Sequence, residues 1–173
     1  MKLRIDVVPY LDDLWRYARV LTKNSDLADE IVQESLIRAL SLAHTYDDAR
    51  PLLPWLIRIV RNTHLTGLAK RAAEERRTAE FATLCGNAQH PSQEHSADLN
   101  SVQKAMKALP VEQAEVLHLV GVLGFSYGDA SAVLDIPMGT LMSRLSRARA
   151  ALKASLEGPI RSGVSLRVVG GGR

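Results

Sequence analysis

Apolar residues return every three or four positions along most of the chain, a spacing that gives an α-helix one buried face. In the N-terminal half one such set spans residues 11–21. A second spans residues 27–43, and the polar residues 24–26 can cap its helix. A third set begins near residue 55, after a loop with two prolines, and continues to residue 71 or beyond. The pattern predicts an all-helical N-terminal half.

One segment, residues 85–101, loses this periodicity and is rich in Gly, Pro, Ser, Asn and Gln, a composition typical of a flexible linker. It separates two predicted domains at residues 1–84 and 102–157. Residues 158–173 contain three arginines, five glycines and no acidic residue, which predicts a flexible tail. The sequence therefore predicts an all-α fold with two small helical domains joined by a linker.

Helical spacing resumes beyond the linker. Residues 102–109 form one short apolar set, and residues 111–120 form another, with Pro110 expected in the first turn of the second helix. Gly124 is expected to end this pair of helices.

The end of the second domain has the pattern of a helix-turn-helix. Ser126 and Asp129 match a capping box that opens a helix. A tight break follows at residues 135–139, and Thr140 is placed to cap a last helix that runs to about residue 156. A short helix, a tight turn and a longer basic helix together predict this motif.

The last helix has one apolar and one polar face. Leu141, Leu145, Ala148 and Leu152 fall on the same side, so we expect them to pack against the preceding helices. The opposite side can enter a DNA major groove, and it carries Ser143, Ser146 and Arg147. Arg144 and Arg149 flank the apolar stripe and suit phosphates better than bases. The alternative is a merely solvated face, but cap, turn and acid-free basic face together favour DNA binding.

Composition and motifs disfavour several other classes of protein. Net charge is only +3, but basic residues cluster at 58–77 and 144–153. Cys85 is the single cysteine, and His90 and His95 have no third ligand beside them, so no metal site is expected. We find no catalytic triad pattern and no phosphate-binding glycine loop, and expect neither a cofactor nor an enzyme. No run of about 18 apolar residues is present, which predicts a cytoplasmic protein without membrane insertion.

Four stretches resemble one family, the extracytoplasmic-function (ECF) sigma factors of RNA polymerase, within the sigma-70 family. PMGTLMSRLSRARAAL is similar to the signature of their region 4, and LPVEQAEVLHLVGVLGFSYGDASAVLDI resembles the rest of that region. YARVLTKNSDLADEIVQESLIRA resembles regions 2.1 to 2.2, and PWLIRIVRN resembles regions 2.3 and 2.4. The resemblance covers most of residues 11–156 and implies a non-catalytic subunit that directs promoter-specific initiation.

The resemblance also implies partners. Region 2 would bind the clamp helices of the largest subunit of core RNA polymerase through Glu30, Gln33 and Glu34, which alone would read as an ordinary solvated face. Core polymerase would also contact region 4 through its flap. Region 2 would capture the single-stranded −10 element, and the nearest candidates are Tyr46, Trp55, Arg58, Arg61 and Asn62. Trp55 is the weakest of these candidates, because a tryptophan at the start of an apolar helix is more often a core residue than a stacking surface for a base.

Region 4 would bind the duplex −35 element. The candidate contacts are Thr140, Ser143, Arg144, Ser146, Arg147 and Arg149. The resemblance further implies an anti-sigma factor that clamps both domains. Three residues depart from the family pattern: Asp135 replaces a turn glycine, Gly128 replaces a helix-forming acid, and Met142 replaces a basic residue.

Two other functions remain open from the sequence. A helix-turn-helix regulator would explain residues 102–156 and would bind DNA without polymerase, but it leaves the N-terminal resemblance unexplained. A helical adaptor would use the same basic faces to contact proteins.

Overall fold

The computed structural model of the protein describes residues 5–82 and 101–156, and within them all regular elements are helical. The α-helices are α1 (Leu11–Thr22), α2 (Ser25–Ser41), α3 (Leu52–Ala82), α4 (Ser101–Ala108), α5 (Val111–Gly121), α6 (Tyr127–Leu134) and α7 (Met138–Leu156). Single 3₁₀ turns lie at Val8–Tyr10 and Ala43–Thr45. No helix in these two ranges is both long and apolar enough to cross a membrane.

Helices α1 to α3 form the N-terminal domain, in which each helix packs on the other two. Leu14, Leu56 and Val60 are almost fully buried in its core. The predicted cap of α2 is confirmed, because Asn24 Oδ1 accepts a hydrogen bond from the Leu27 N–H at 3.0 Å. Residues of the periodic apolar sets that predicted these helices therefore form the core of the domain.

Two boundaries in this domain differ from the expected ones. α2 ends at Ser41 instead of residue 43, and a 3₁₀ turn follows it. α3 begins at Leu52, before Trp55, and so includes Pro54 in its first turn. Proline is tolerated there because the first backbone N–H groups of a helix have no partner within the helix.

Helices α4 to α7 form the C-terminal domain, and α7 packs on α4, α5 and α6. Leu141, Leu145 and Ala148 are buried as predicted. The N-cap of α6 predicted at Ser126 is confirmed, since Ser126 Oγ accepts a hydrogen bond from the Asp129 N–H at 3.0 Å and its hydroxyl donates to Asp129 Oδ2 at 2.6 Å. The helix-turn-helix consists of α6, a break at residues 135–137, and α7.

The cap predicted for α7 is wrong. The helix begins at Met138, so Thr140 lies in its first turn, and the Pro137 carbonyl accepts the Leu141 N–H at 3.1 Å. Pro110 likewise precedes α5 as its N-cap instead of lying in its first turn. In the preceding turn Asp135 takes the expected left-handed conformation, with φ of 51°.

The two domains pack against each other, α1 on α5 and α3 on α6. Lys23 Nζ, at the end of α1, donates to the Lys107 and Leu109 carbonyls at 2.9 and 3.0 Å. Those carbonyls lie at the C-terminal end of α4, where a cation is favoured. The linker predicted at 85–101 lies almost entirely outside the described residues, as do Cys85, His90, His95 and the tail at 158–173.

Candidate nucleic-acid interface

The outer face of α7 is open to solvent. Ser143, Ser146 and Arg147 are exposed on the side opposite the buried Leu141 and Leu145. The Arg147 guanidinium donates to the Ser143 carbonyl at 3.2 Å and to the Ser143 hydroxyl oxygen at 3.3 Å. These contacts hold the arginine along the helix surface, where its remaining donors are free to meet a base edge. We call Ser143, Ser146 and Arg147 the recognition face.

The other residues predicted on α7 surround this face unequally. Arg149 is exposed, whereas Thr140 and Arg144 are half-buried. Arg144 lines a groove of about 830 Å³ between the two domains, beside Glu112 and Asp135. Met142 is 52% exposed at the edge of the recognition face. The structure thus brings four of the six predicted residues to the open side of α7 or its border, and turns Arg144 toward the N-terminal domain.

Tyr46, Trp55 and Arg58 lie together in the N-terminal domain. The Tyr46 and Trp55 rings are tilted by 50° with centroids 5.3 Å apart, and the Tyr46 hydroxyl donates to the Arg50 carbonyl. Trp55 is half-buried, and so has both an apolar contact and an open edge. With Arg58 these rings line a groove of about 660 Å³, which we call the aromatic groove. Its opposite wall comes from α6 and includes Asp129, Ala132 and Val133.

Arg61 and Asn62 differ in their surroundings. Asn62 is exposed on α3. Arg61 is half-buried, and its Nε donates to Glu115 Oε1 of the C-terminal domain at 3.1 Å. The same carboxylate oxygen accepts the Tyr17 hydroxyl of α1 at 2.6 Å. Burial, followed by the nearby Glu115 carboxylate, raises the pKa of Tyr17 well above its usual value, so the hydroxyl keeps its proton. Tyr17, Arg61 and Glu115 form what we call the interdomain cluster.

Neither Glu115 nor Tyr17 was predicted as a functional residue from sequence. The available signal was the position of Glu115 within the apolar run AEVLHLV of α5, where a buried acid needs a partner. One turn away, His118 is also buried, with its ring centroid 6.2 Å from that of Tyr17. Burial, with a smaller effect of Arg16, lowers the pKa of His118 to about 4, so the ring is neutral at pH 7.

The predicted polymerase-binding residues share one side of α2. Glu30, Gln33 and Glu34 are all exposed, and Glu34 forms an ion pair with Arg38 at 2.5 Å. Ile37 and Leu40 continue the same face with 69% and 63% exposure. Leu40 belongs to the apolar set predicted at residues 27–43 and was expected to be buried with it, and its exposure shows that this prediction is wrong. We call these five residues the α2 face.

Within the described ranges no three His, Cys, Asp or Glu side chains are grouped so that they could hold a metal ion. The geometry is instead that of a cationic face on α7, an aromatic groove lined by two arginines and two aspartates, and an acidic-apolar face on α2.

Comparison with known proteins assigns the two halves separately. A model of sigma-70 region 2 matches residues 7–74, and a model of sigma-70 region 4 matches residues 99–152. The ECF RNA polymerase sigma factor EcfG of Rhodopseudomonas palustris (strain TIE-1) is 36% identical over 155 residues, 89% of this chain and 84% of that protein. SigM of Bacillus subtilis (strain 168), also an ECF RNA polymerase sigma factor, is 31% identical over 148 residues, 84% of this chain and 89% of that protein.

Solved structures agree with these sequence matches. The sigma factor RpoE from Bartonella quintana, solved in complex with the anti-sigma factor NepR, matches with a TM-score of 0.70 and 33% identity, covering 88% of this chain and 95% of that one. CnrH, solved with the cytosolic domain of CnrY, matches with a TM-score of 0.59 and 25% identity, covering 87% and 84%.

Proposed function

The chain belongs to the ECF sigma factors, which direct RNA polymerase to specific promoters, and we propose that the recognition face and the aromatic groove read the two promoter elements. The recognition face on α7 would read the −35 element in the duplex. The aromatic groove, Arg61 and Asn62 would capture the −10 element as a single strand. The observation that carries this assignment is the open, acid-free face of α7, supported from beneath by fully buried apolar residues.

The −35 assignment follows from the chemistry of the recognition face. Arginine can donate two hydrogen bonds to guanine, and serine can meet several base edges. The N-terminal half of a recognition helix is the part that reaches base edges, and it holds Thr140, Ser143, Ser146 and Arg147. Arg149, at the margin of this face, is suited to a phosphate and would position the helix.

The −10 assignment follows from the composition of the aromatic groove. Two aromatic rings give a base surfaces on which to stack, and Arg58 gives a phosphate a cationic contact. Arg61, three residues further along α3, is paired with Glu115 and would serve a phosphate only after that pair opens. A groove of about 660 Å³ has room for a nucleotide base. These features support strand capture at this position in the N-terminal domain.

The α2 face would bind core polymerase at the clamp helices of its largest subunit, with region 4 contacting the flap. Ile37 and Leu40 would supply a desolvated centre, and Glu30, Gln33 and Glu34 a polar rim of negative charge. Acidic residues around an apolar centre suit a basic partner surface.

An anti-sigma factor is proposed as the regulatory partner. RpoE and CnrH were solved with NepR and with the cytosolic domain of CnrY, and this chain resembles both sigma factors along most of its length. The protein would act in the cytoplasm as a non-catalytic subunit. Its domains would be region 2 at residues 1–84 and region 4 at 102–157, joined by a linker at 85–101 and followed by a tail.

Reconstituted transcription tests the proposed function. Purified core polymerase with this chain should produce run-off transcripts from a promoter of the ECF type, and removal of either element should abolish them. A double substitution, Gln33→Ala with Glu34→Ala, should reduce the yield of holoenzyme while leaving −35 duplex binding by the chain unchanged. A chain that binds its duplex but supports no transcription with core polymerase would favour a helix-turn-helix regulator instead.

A further inference from the structure

An exposed apolar strip borders the recognition face. Met142 is 52% exposed, and Met138, four positions earlier on α7, is 41% exposed. Residues four positions apart lie on the same side of a helix, so the two side chains are neighbours, and Ser146 of the recognition face continues the same row. The other exposed residues within 138–147 are a glycine, two serines and an arginine. The two methionines are therefore the large apolar surface of this half of α7.

The strip lies apart from the residues that pack α7 into its domain. Leu141, Leu145 and Ala148 are buried on a different side of the helix, and they support it from beneath. Half of the Met142 side chain, by contrast, remains in water. Removal of its thioether should therefore leave the core of the domain intact, and a change in binding can be separated from a change in folding.

The chemistry of the Met142 side chain limits what it can recognise on DNA. A thioether carries no charge and no hydrogen-bond donor, so it can neither pair with a phosphate nor donate to a base edge. In the major groove the one apolar feature that differs between base pairs is the C5 methyl group of thymine. This methyl group stands beside the backbone of its own strand, where a residue at the edge of a recognition face arrives. The flexible methionine side chain can adapt to it.

The charges around the strip favour DNA over a protein as its partner. Helix α7 contains no acidic residue, and its four basic residues include Arg147 and Arg149 on the exposed side. A polyanion is complementary to these surroundings. When the recognition face lies in a major groove, its edge residues face the walls of the groove, and Met142 is one of them.

We infer that Met142 is a specificity-determining residue that contacts the C5 methyl group of a thymine in the −35 element, with Met138 extending the apolar surface. The inference rests on the proposed −35 role of α7 and deepens it. Arg147 selects a base by hydrogen bonding, whereas Met142 selects one by apolar contact. The preferred −35 element therefore contains a thymine, on either strand, whose methyl group contributes to binding.

Replacement of thymine by 2′-deoxyuridine tests this inference, because it removes the methyl group and leaves the base pairing unchanged. Holoenzyme reconstituted from core polymerase and the full-length chain first selects its preferred −35 sequence from promoter duplexes randomised there. Each thymine of the selected element is then replaced in turn, on both strands. Competition binding measures the affinity of the holoenzyme for each duplex.

We expect one such replacement to weaken binding by the native protein about fourfold, the factor that corresponds to burial of one methyl group. Met142→Ala should bind the thymine duplex correspondingly weakly and should not respond to that replacement. Met142→Leu, which keeps an apolar side chain, should retain the response. Val122→Ala is the matched control, since Val122 is equally exposed in the same domain, at 52%, but lies at the end of α5. Its response should equal that of the native protein.

An equal response to every thymine replacement in the native protein and in Met142→Ala would overturn the inference. A reduced yield of holoenzyme with Met142→Ala, at unchanged −35 preference, would also overturn it and would assign the strip to a protein contact. Failure of the proposed function looks different, because no −35 sequence would then be selected at all. If an element is selected and Arg147→Ala weakens its selection while Met142→Ala keeps the native response, only the methyl contact is wrong.

Discussion

The two surfaces proposed to read DNA are built differently. The recognition face belongs to one helix and is supported by buried residues of that same helix. The −10 surface is assembled from a loop and α3, α6 forms the opposite wall of its groove, and Arg61 is paired with Glu115 of α5. The first is therefore available in the free chain, whereas the second depends on the relative position of the two domains. Binding of duplex and of single strands should respond to different perturbations.

The largest effect is expected at the open surface. Arg147→Ala should lower discrimination among −35 sequences by about 1–3 kcal/mol, because a bidentate contact to a guanine is lost. The measurement is competition among −35 duplex variants, made with the free chain and with the holoenzyme. Because this face is open in both states, both measurements should give the same loss.

Arg149→Ala is the matched control for that substitution. Its exposed guanidinium at the margin of the face should contact phosphates, so its loss should weaken binding to all duplexes equally. The slope of the logarithm of the binding constant against the logarithm of salt concentration should become shallower by about one. A sequence preference unchanged by Arg147→Ala would assign Arg147 to phosphate or solvent as well.

The same contrast explains how far sequence reasoning reached. The periodicity of α7 predicted its buried stripe, and Leu141, Leu145 and Ala148 are buried as expected, because one helix fixes both of its own faces. The partner of Arg61 lies 54 residues away in another domain, and no local pattern reports such a contact. The predicted burial of Leu40 is wrong for a related reason. Apolar spacing identifies the apolar face of a helix, but it does not indicate whether that face packs within the chain or against another protein.

A second prediction concerns the pH dependence of stability at His118, which lies against Tyr17 of α1. His118 is neutral when buried against Tyr17, since its pKa is about 4 there and about 6.5 when exposed. Exposed states therefore bind more protons between those values, and the buried arrangement loses stability as pH falls below about 6.5. At pH 5 the loss should reach about 2 kcal/mol, or roughly thirtyfold.

The measurement is the free energy of unfolding in urea at pH 7.5 and pH 5. His118→Leu places an apolar side chain in the same site and removes the titrating group. The difference in pH dependence between the two proteins is therefore the contribution of His118. A constant difference between the proteins from pH 7.5 to pH 5 would contradict burial of the neutral ring.

The smallest effect is expected in α6, which contributes to both surfaces because it packs on α7 and forms one wall of the aromatic groove. Gly128 is the second residue of α6, and a Cβ there would meet only Ser126 Oγ at an ordinary 3.7 Å. Gly128→Ala should therefore raise the free energy of unfolding by up to about 1 kcal/mol, since alanine loses less chain entropy in a helix.

Gly124→Ala is the control of opposite sign. The φ of +69° at this position disfavours a side chain, so the substitution should lower the free energy of unfolding by about 1 kcal/mol although the site has space. If both variants change the free energy of unfolding in the same direction, backbone conformation does not determine stability at residues 124 and 128.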